Sequence, residues 1–330
     1  MTKNKLVMIG NGMAGLRTIE EILDRDPQRF EITIIGKEDY PNYNRIMLSN
    51  ILQNKMTVEE TIMNSYDWYA EHDIKLINND PVTILDRANK TVITESGQSF
   101  EYDQCIIATG SKAFVLPIPG SDLPSVIGWR TIDDTKRMME IAQTKQKAIV
   151  IGGGLLGLEC ARGLLDQGME VTVIHLAEWL MEMQLDRKAG QMLKNDLEQQ
   201  GMRFELQANT QEILGDKDVE AVRLADGRVL EADLVVMAVG IRPYTEVAKA
   251  AGLEVNRGII VNAYMQTSDP NIFAVGECAE CEGKVYGLVA PLYEQGIVLA
   301  DYLTQKETNG YHGSTTFTSL KVSGLSLIHI

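Results

Sequence analysis

Cysteine, positive charge and long apolar runs are all in short supply in this sequence of 330 residues. The four cysteines are too few for a disulfide framework, which suits a reducing compartment, and we expect a cytoplasmic protein. The best candidate for a membrane span, 148–158, ends at Glu159 and is shorter than the roughly 18 apolar residues that a spanning helix needs. The sequence therefore predicts no membrane segment.

Acidic residues outnumber basic ones, with 46 Asp and Glu against 31 Lys and Arg and a net charge of −15. A chain with this balance repels phosphate backbones and anionic lipid surfaces over a Debye length. We therefore expect neither nucleic acid nor a membrane as a partner. Lys3 and Lys5 precede an apolar run in the manner of a secretory signal, but glycines interrupt that run and no cleavage site follows. This segment is interpreted as mature protein.

The chain repeats one succession of apolar and glycine-rich segments. An apolar strand at 5–9 precedes Gly-Asn-Gly-Met-Ala-Gly at 10–15, and a helical pattern and a second strand follow. The same succession returns with a strand at 147–151 and Gly-Gly-Gly-Leu-Leu-Gly at 152–157. Each copy then continues into a predicted hairpin and an apolar strand that ends in glycine, at Gly110 or Gly240. The sequence therefore predicts two duplicated βαβ domains.

The glycine spacing in both copies suits the close approach of a pyrophosphate. Each copy follows a strand and opens a helix, which is the context in which a G-x-G-x-x-G pattern binds a dinucleotide. The glycines allow a tight turn, and the helix N-terminus offers N–H groups and a partial positive charge. The candidate residues are Gly10, Gly12 and Gly15 in the first copy and Gly152, Gly154 and Gly157 in the second.

Two dinucleotide sites in one chain indicate a permanently held flavin and a mobile nicotinamide nucleotide. On these motifs the chain resembles the FAD-dependent pyridine-nucleotide oxidoreductases. The expected fold class is α/β, with two Rossmann-like dinucleotide-binding domains for FAD and NAD(P), the second inserted in the first. Breaker residues near 117–124 and the Arg242-Pro243 pair mark the crossings. The expected boundaries are 1–115 and 243–312 for the FAD domain, 116–242 for the NAD(P) domain and 313–330 for a truncated C-terminal region.

Two later segments resemble further FAD contacts of this family. Thr109 and Gly110 resemble the strand end that passes the flavin, and Gly276 with Glu277 resembles the second FAD fingerprint. Most members of the family have Asp where this sequence has Glu277. The longer side chain should still accept a hydrogen bond from the ribityl chain.

The segment 291–295 resembles the helix start that lies against the flavin ring in this family, where N–H groups stabilise negative charge on the reduced ring. The resemblance therefore assigns Glu294 and Gln295 to the cofactor. Gly240, which ends the apolar strand of the second copy, is a further candidate cofactor-binding residue. It also places Glu159 near the nicotinamide as a catalytic residue, although an ordinary exposed helix glutamate explains this residue equally well.

No cysteine occurs at 41–49, where the disulfide reductases of the family carry a reactive pair, so a thiol relay at the flavin is not expected. That segment instead resembles the Tyr-x-Arg-x-x-Leu-Ser segment of NAD(P)H-dependent ferredoxin and rubredoxin reductases. It resembles still more closely the large subunit of NAD(P)H nitrite reductases, as do 180–186 and 283–295. The resemblance implies that Arg45 contacts FAD.

The resemblance implies an NAD(P)H oxidoreductase that passes electrons through FAD to an iron–sulfur or sirohaem acceptor, as the flavoprotein portion of an assimilatory-type nitrite reductase. The acceptor would be a missing C-terminal module or a separate protein. One alternative is a stand-alone ferredoxin, rubredoxin or nitrate-reductase electron-transfer reductase. Another is a redox sensor that binds FAD without catalysis.

Two points stay open at the level of sequence. Glu38 is the candidate for the adenosine ribose in the first domain, whereas His175 in the second stands where an NADH-selective site usually has Asp or Glu. His has no fixed charge near neutral pH, so NADH and NADPH are both compatible.

Cys278 and Cys281 offer only two of the four ligands that a zinc or iron–sulfur site needs, so no metal is expected.

Overall fold

The computed structural model of the chain describes residues 3–316, 318–322 and 325–329. The described residues divide into two compact units. The first unit takes its residues from Met1–Asn44, Ile62–Ser111 and Arg242–Thr316. The second takes them from Arg45–Thr61, Lys112–Ile241 and Phe317–Ile330.

Strands and short helices alternate along most of the chain. The helices are α1 (Met13–Arg25), α2 (Leu48–Leu52), α3 (Tyr66–Glu71), α4 (Ile132–Ala142), α5 (Leu155–Asp166), α6 (Arg187–Gln199), α7 (Glu246–Ala250) and α8 (Val289–Leu303). The strands are β1 (Asn4–Ile9), β2 (Phe30–Ile35), β3 (Lys75–Ile77), β4 (Val82–Asp86), β5 (Thr91–Thr94), β6 (Ser99–Glu101), β7 (Gln104–Ile107), β8 (Ser111–Ala113), β9 (Val126–Gly128), β10 (Lys147–Ile151), β11 (Glu170–His175), β12 (Arg203–Leu206), β13 (Thr210–Leu214), β14 (Ala221–Leu224), β15 (Val229–Glu231), β16 (Leu234–Met237), β17 (Ile241–Pro243), β18 (Ile259–Val261), β19 (Ile272–Ala274), β20 (Ala279–Cys281), β21 (Thr318–Val322) and β22 (Leu325–His329). Among the described residues, no helix combines the length and the hydropathy that a membrane crossing requires.

A five-stranded parallel sheet forms the centre of the first unit, in the order β19-β7-β1-β2-β3. Its strands are continuous apolar runs because a parallel sheet is covered on both faces. Leu6, Met8 and Ile106 accordingly have no exposed surface. A three-stranded antiparallel sheet, β4-β5-β6, is formed by the predicted hairpin and the strand before it.

Helices α1 and α8 pack against each other in the first unit. Gly296 permits the close approach, since a Cβ atom there would lie 2.7 Å from the hydroxyl oxygen of Thr18. At the end of α1, Arg25 Nε donates to Asp301 Oδ1 at 2.6 Å. These contacts fix the helix that follows the first glycine-rich turn.

The second unit contains a five-stranded parallel sheet in the order β12-β11-β10-β16-β9 and a three-stranded antiparallel sheet, β13-β14-β15. The parallel sheet has the strand order of the first unit, with β10, β11, β12, β16 and β9 in the places of β1, β2, β3, β7 and β19. One difference is that β9 precedes the βαβ unit in the chain, whereas β19 comes long after its counterpart. The predicted α/β class with duplicated Rossmann-like sheets is confirmed.

The segment Arg45–Thr61 is grouped with the second unit, although it lies between two stretches of the first. Its helix α2 packs on α4 and α5. Gln167 Nε2 donates to the carbonyl oxygen of Leu52 at 2.6 Å. The Leu52 side chain also lies against Gly163, where a Cβ atom would meet Leu52 Cγ at 2.5 Å. The packing partner of this segment could not be read from the sequence.

Candidate functional sites

Three neighbouring strands of the first sheet end at one edge, and predicted site residues follow each of them. Gly10 comes after β1, Thr109 and Gly110 come after β7, and Gly276 comes soon after β19. Gly10 has a φ of +110°, and a Cβ atom there would lie 2.2 Å from the carbonyl oxygen of Ala108. Only glycine fits this turn, because an added side chain would collide with the backbone that follows the neighbouring strand.

The rest of the first glycine turn leaves space in front of α1. Gly12 is the N-cap residue of α1, in extended conformation, and no side chain caps the helix there. A Cβ atom on Gly12 would have no neighbour within 4 Å, whereas one on Gly15 would lie 2.8 Å from Met8 Sδ. The first-turn N–H groups of α1 therefore adjoin open space. This cradle fits the pyrophosphate of a dinucleotide such as FAD.

Gly276 and Glu277, which resemble the second FAD fingerprint, form hydrogen bonds with other residues of the first unit. The Ser111 hydroxyl donates to Glu277 Oε2 at 2.7 Å. The backbone N–H of Gly276 donates to Gln295 Oε1 at 3.0 Å, and Gln295 is fully buried on α8. Gln295 thus fixes the backbone of the fingerprint turn from inside the first unit. A direct contact between Gln295 and the cofactor stays a prediction.

Thr109 and Glu294 make other contacts. The Thr109 hydroxyl donates to the carbonyl oxygen of Tyr244 at 2.7 Å, and the Tyr244 N–H donates to the Gly110 carbonyl at 2.9 Å. Glu294 is exposed on α8 and accepts a hydrogen bond from the Ser314 hydroxyl. The structure therefore brings Thr109 to the sheet edge but gives Glu294 a partner in the segment after α8.

Glu38 follows β2 and is half-buried, and the Tyr43 hydroxyl donates to its Oε2 at 2.6 Å. This bond fixes the carboxylate that the sequence predicts for the adenosine ribose.

A polar network that the sequence did not predict holds the glycine turn in place. The Tyr69 hydroxyl donates to Asn11 Oδ1 at 2.8 Å and accepts from the Asn42 backbone N–H at 3.2 Å. Burial raises the pKa of Tyr69 to about 12, so the hydroxyl stays a proton donor. The three residues are far apart in the chain, and no local pattern relates them.

The second unit repeats the glycine geometry at the edge where β10 and β16 end. Gly152 has a φ of +120°, and a Cβ atom there would lie 2.3 Å from the carbonyl oxygen of Ala238. Gly154 caps α5 without a side-chain bond, and its Cβ would have no neighbour within 4 Å. A Cβ on Gly157 would lie 1.9 Å from the Gly152 carbonyl oxygen. This cradle fits a second pyrophosphate, that of NAD(P)H.

His175 ends β11 and is only 8% exposed. The Gly153 N–H donates to His175 Nδ1 at 3.0 Å, and His175 Nε2 lies 2.9 Å from Glu182 Oε2. Both ring nitrogens thus have protein partners, and Glu182, which the sequence interpretation did not single out, lies next to the predicted ribose position.

Two further residues predicted for the sites also belong to the second unit. Gly240 is exposed with a φ of +108°, and Glu159 is half-buried on α5.

Arg45 is grouped with the second unit. Its Nη1 donates to the carbonyl oxygen of Arg130 at 2.8 Å. Its contact with FAD stays a prediction.

The four cysteines are free and buried. Burial raises the pKa of the Cys105, Cys160 and Cys278 thiols, and it raises that of Cys281 to about 11. Their low thiolate content disfavours nucleophilic chemistry. Within the part of the chain that the structure describes, no group of three or more His, Cys, Asp or Glu residues is placed to hold a metal ion.

We expect none of the four thiols to react with dithionitrobenzoate in the native protein at about pH 8, because thiolate is the reactive form and the raised pKa values keep it scarce. All four should react after unfolding in guanidinium. Met183→Cys is the matched positive control, since Met183 is 79% exposed and a thiol there should label at once. Rapid labelling of an original cysteine in the native chain would contradict the expectation.

Comparisons with known proteins agree with this architecture. The family model described as pyridine nucleotide-disulphide oxidoreductase matches residues 4–299. The chain is 55% identical over 327 residues to nitrite reductase [NAD(P)H] of Bacillus subtilis, covering 99% of this chain and 41% of that protein. It is 49% identical to the assimilatory nitrate reductase electron transfer subunit of the same organism, covering 99% of this chain and 42% of that protein. It thus spans about two fifths of the length of these curated relatives.

A solved ferredoxin reductase for the CYP199A2 system of Rhodopseudomonas palustris superposes with a TM-score of 0.88 and 29% identity, over 96% of this chain and 80% of that one. The resemblance, the enzyme class and the pair of cofactors predicted from the sequence are thereby confirmed. The chain belongs to the pyridine nucleotide-disulphide oxidoreductase family, and it is an oxidoreductase of the FAD- and NAD(P)H-dependent class.

Proposed function

We propose that the chain is the flavoprotein portion of an assimilatory-type nitrite reductase, which takes electrons from NAD(P)H through FAD and delivers them to an iron–sulfur or sirohaem acceptor. The observation that carries the proposal is the duplicated cradle: two parallel sheets of one strand order, each with an open glycine turn in front of a helix. The 55% identity to a nitrite reductase [NAD(P)H] supports the proposal that the electrons are used for nitrite reduction.

In the first unit, the turn at Gly10 and Gly12 would receive the FAD pyrophosphate, and Glu38 would accept hydrogen bonds from the adenosine ribose. Glu277 would accept one from the ribityl chain. Gln295, which accepts from the Gly276 N–H, would hold that backbone beside the bound cofactor. When bound, FAD supplies the ability to accept a hydride equivalent and to release electrons singly.

In the second unit, the turn at Gly152 and Gly154 would receive the pyrophosphate of NAD(P)H. Glu159 on α5 would lie toward the nicotinamide end. The contribution of the chain is mainly to fix positions, because correct orientation alone supplies about 7–11 kcal/mol of barrier reduction. With no reactive thiol at 41–49, electrons would leave for an external metal centre rather than through a disulfide.

The partner would be a C-terminal module or a separate protein that carries the iron–sulfur or sirohaem group. The four buried thiols suit a reducing compartment, and we place the protein in the cytoplasm. A second candidate is an electron-transfer subunit for nitrate reductase, favoured by the 49% identity to such a subunit.

The test is anaerobic addition of NADH or NADPH to FAD-loaded protein, followed by flavin absorbance. Bleaching within turnover times is expected, and reoxidation should follow on addition of a separately expressed sirohaem and iron–sulfur module, with nitrite consumed. Reoxidation by a nitrate reductase but not by that module would favour the second candidate. A flavin that stays oxidised with both nucleotides would refute an enzymatic role and favour a redox sensor.

A further inference from the structure

The loop after β11, residues 176–186, is fixed to the second glycine turn. The Met181 N–H donates to the Gly153 carbonyl oxygen at 3.1 Å. The Leu180 side chain also lies against Gly153, where a Cβ atom would meet Leu180 Cδ2 at 2.8 Å. Polar groups on this loop are therefore held at a defined place beside the turn.

His175 links the same turn to the loop through its imidazole ring. Because the Gly153 N–H donates to Nδ1, that nitrogen acts as an acceptor and carries no proton. The ring proton then lies on Nε2, which donates to Glu182 Oε2 at 2.9 Å. The ring thus holds the carboxylate of Glu182 instead of offering a ring nitrogen to a ligand.

The Glu182 carboxylate retains most of its capacity to accept hydrogen bonds. A carboxylate has about four lone-pair directions, and the bond from His175 uses one of them. The side chain of Glu182 is 36% exposed, so it is open to an incoming ligand. It adjoins the end of β11, where dinucleotide folds place the acidic residue that binds the adenosine ribose.

We propose that Glu182, positioned by His175, accepts the 2′-hydroxyl of the adenosine ribose and makes the second unit selective for NADH over NADPH. This rests on the proposed function only in that the second unit binds a nicotinamide dinucleotide. Glu182 would thus bind the ribose in place of the acidic residue that dinucleotide folds usually have at the end of this strand, although it lies seven residues after His175 in the chain.

The charges around Glu182 favour the same selectivity. A 2′-phosphate brings a charge of about −1.5 to −2 and would meet the Glu182 carboxylate. Arg187 is the nearby cation in sequence best suited to a phosphate, and its pairing with Glu178 balances one charge with another. The Asp186 carboxylate, which caps α6 by accepting from the Ala189 N–H at 2.8 Å, likewise balances Lys188 in sequence. The segment 178–188 therefore keeps one net negative charge, from three acids and two bases.

The test measures binding of two fragments without a nicotinamide, ADP-ribose and 2′-phospho-ADP-ribose, to the FAD-loaded protein by calorimetry. The wild type should prefer ADP-ribose by about 100-fold, because like charges brought together at a binding site are strongly penalised. Glu182→Gln, which keeps the shape and removes the charge, should reduce this preference to about fivefold or less. Glu198→Gln is the matched control, because it removes an equal charge from α6, where Glu198 pairs with Lys194. Its preference should equal that of the wild type.

A second variant tests the positioning role of His175. His175→Asn keeps an acceptor for the Gly153 N–H but is too short to reach Glu182, so it should lose most of the preference while FAD content stays unchanged. Combined with Glu182→Gln it should cause no further loss, because both changes break one interaction. A purely structural role for His175 would lower stability without altering the ratio of the two affinities.

An undiminished preference in Glu182→Gln, or a wild type that prefers the phosphorylated fragment, would overturn the inference and leave the proposed function intact. A wild type that binds neither fragment would instead contradict the nucleotide site of the second unit and with it both proposals.

Discussion

Threonine in place of Gly12 should give a folded chain that no longer retains FAD, and threonine in place of Gly154 should give one that keeps FAD but is reduced poorly by NAD(P)H. Both glycines are N-cap residues in extended conformation, and their Cβ atoms would meet nothing within 4 Å. Threonine caps a helix about as well as glycine, so apoprotein stability should change by less than about 0.5 kcal/mol. The side chain would occupy the space that each pyrophosphate needs, which should cost about 3 kcal/mol or 100-fold in affinity.

The two variants serve as controls for each other. The measurements are the ratio of flavin to protein after purification with added FAD, and the rate of anaerobic bleaching at a fixed low concentration of nucleotide. The unfolding free energy is compared in the apoproteins, since bound cofactor would add its own stabilisation. Retention of FAD by the Gly12 variant, or unchanged bleaching in the Gly154 variant, would show that these cradles are not the cofactor sites.

Alanine in place of Gly157 should destabilise the second unit by about 3 kcal/mol or more, because its Cβ would lie 1.9 Å from the Gly152 carbonyl oxygen. Gly15, at the corresponding place in the first unit, should tolerate alanine better. Its Cβ would meet Met8 Sδ at 2.8 Å and Ala108 Cβ at 2.9 Å, and only the methionine side chain can move freely. Because neither atom belongs to the backbone, Gly15→Ala should cost about 1–2 kcal/mol, less than Gly157→Ala.

Denaturant unfolding of the apoproteins checks this difference. Gly154→Thr is the control for the second unit, since it adds a larger side chain three positions earlier where space is open. Equal losses for Gly157→Ala and Gly15→Ala would mean that the two turns are equivalent and that the backbone contact at Gly157 relaxes at little cost.

The sequence predicts those parts of the molecule in which the local backbone conformation restricts the residue type. Gly10 and Gly152 have positive φ values and lie against a neighbouring strand end, and glycine is the residue that fits such positions. The apolar runs of β1 and β10 predict buried parallel strands for the same reason. Gly110 and Gly276 are assigned to the FAD site by the family resemblance of their segments, and they follow β7 and β19 at the edge where β1 ends.

Contacts between distant residues could not be predicted in this way. Nothing near His175 in the sequence indicates that its ring accepts from Gly153 and donates to Glu182. The hydroxyl of Tyr69 joins residues 11 and 42 without a periodic pattern. The packing of Leu52 on Gly163 likewise depends on which helix happens to lie opposite. The residue types at these positions are compatible with many partners.

The position of β9 and β19 along the chain sets the order in which a nascent polypeptide can finish its two sheets. Each of these strands closes the same edge, beside β16 or β7, but β9 is synthesised before the rest of its sheet and β19 long after. Once residue 237 has left the ribosome, all five strands of the parallel sheet of the second unit have been synthesised. The parallel sheet of the first unit still presents β7 as an open edge, a surface prone to mispairing, until residues 272–274 have been synthesised. Translation thus completes the inserted sheet first, and a pause between those points leaves the flavin-side sheet exposed.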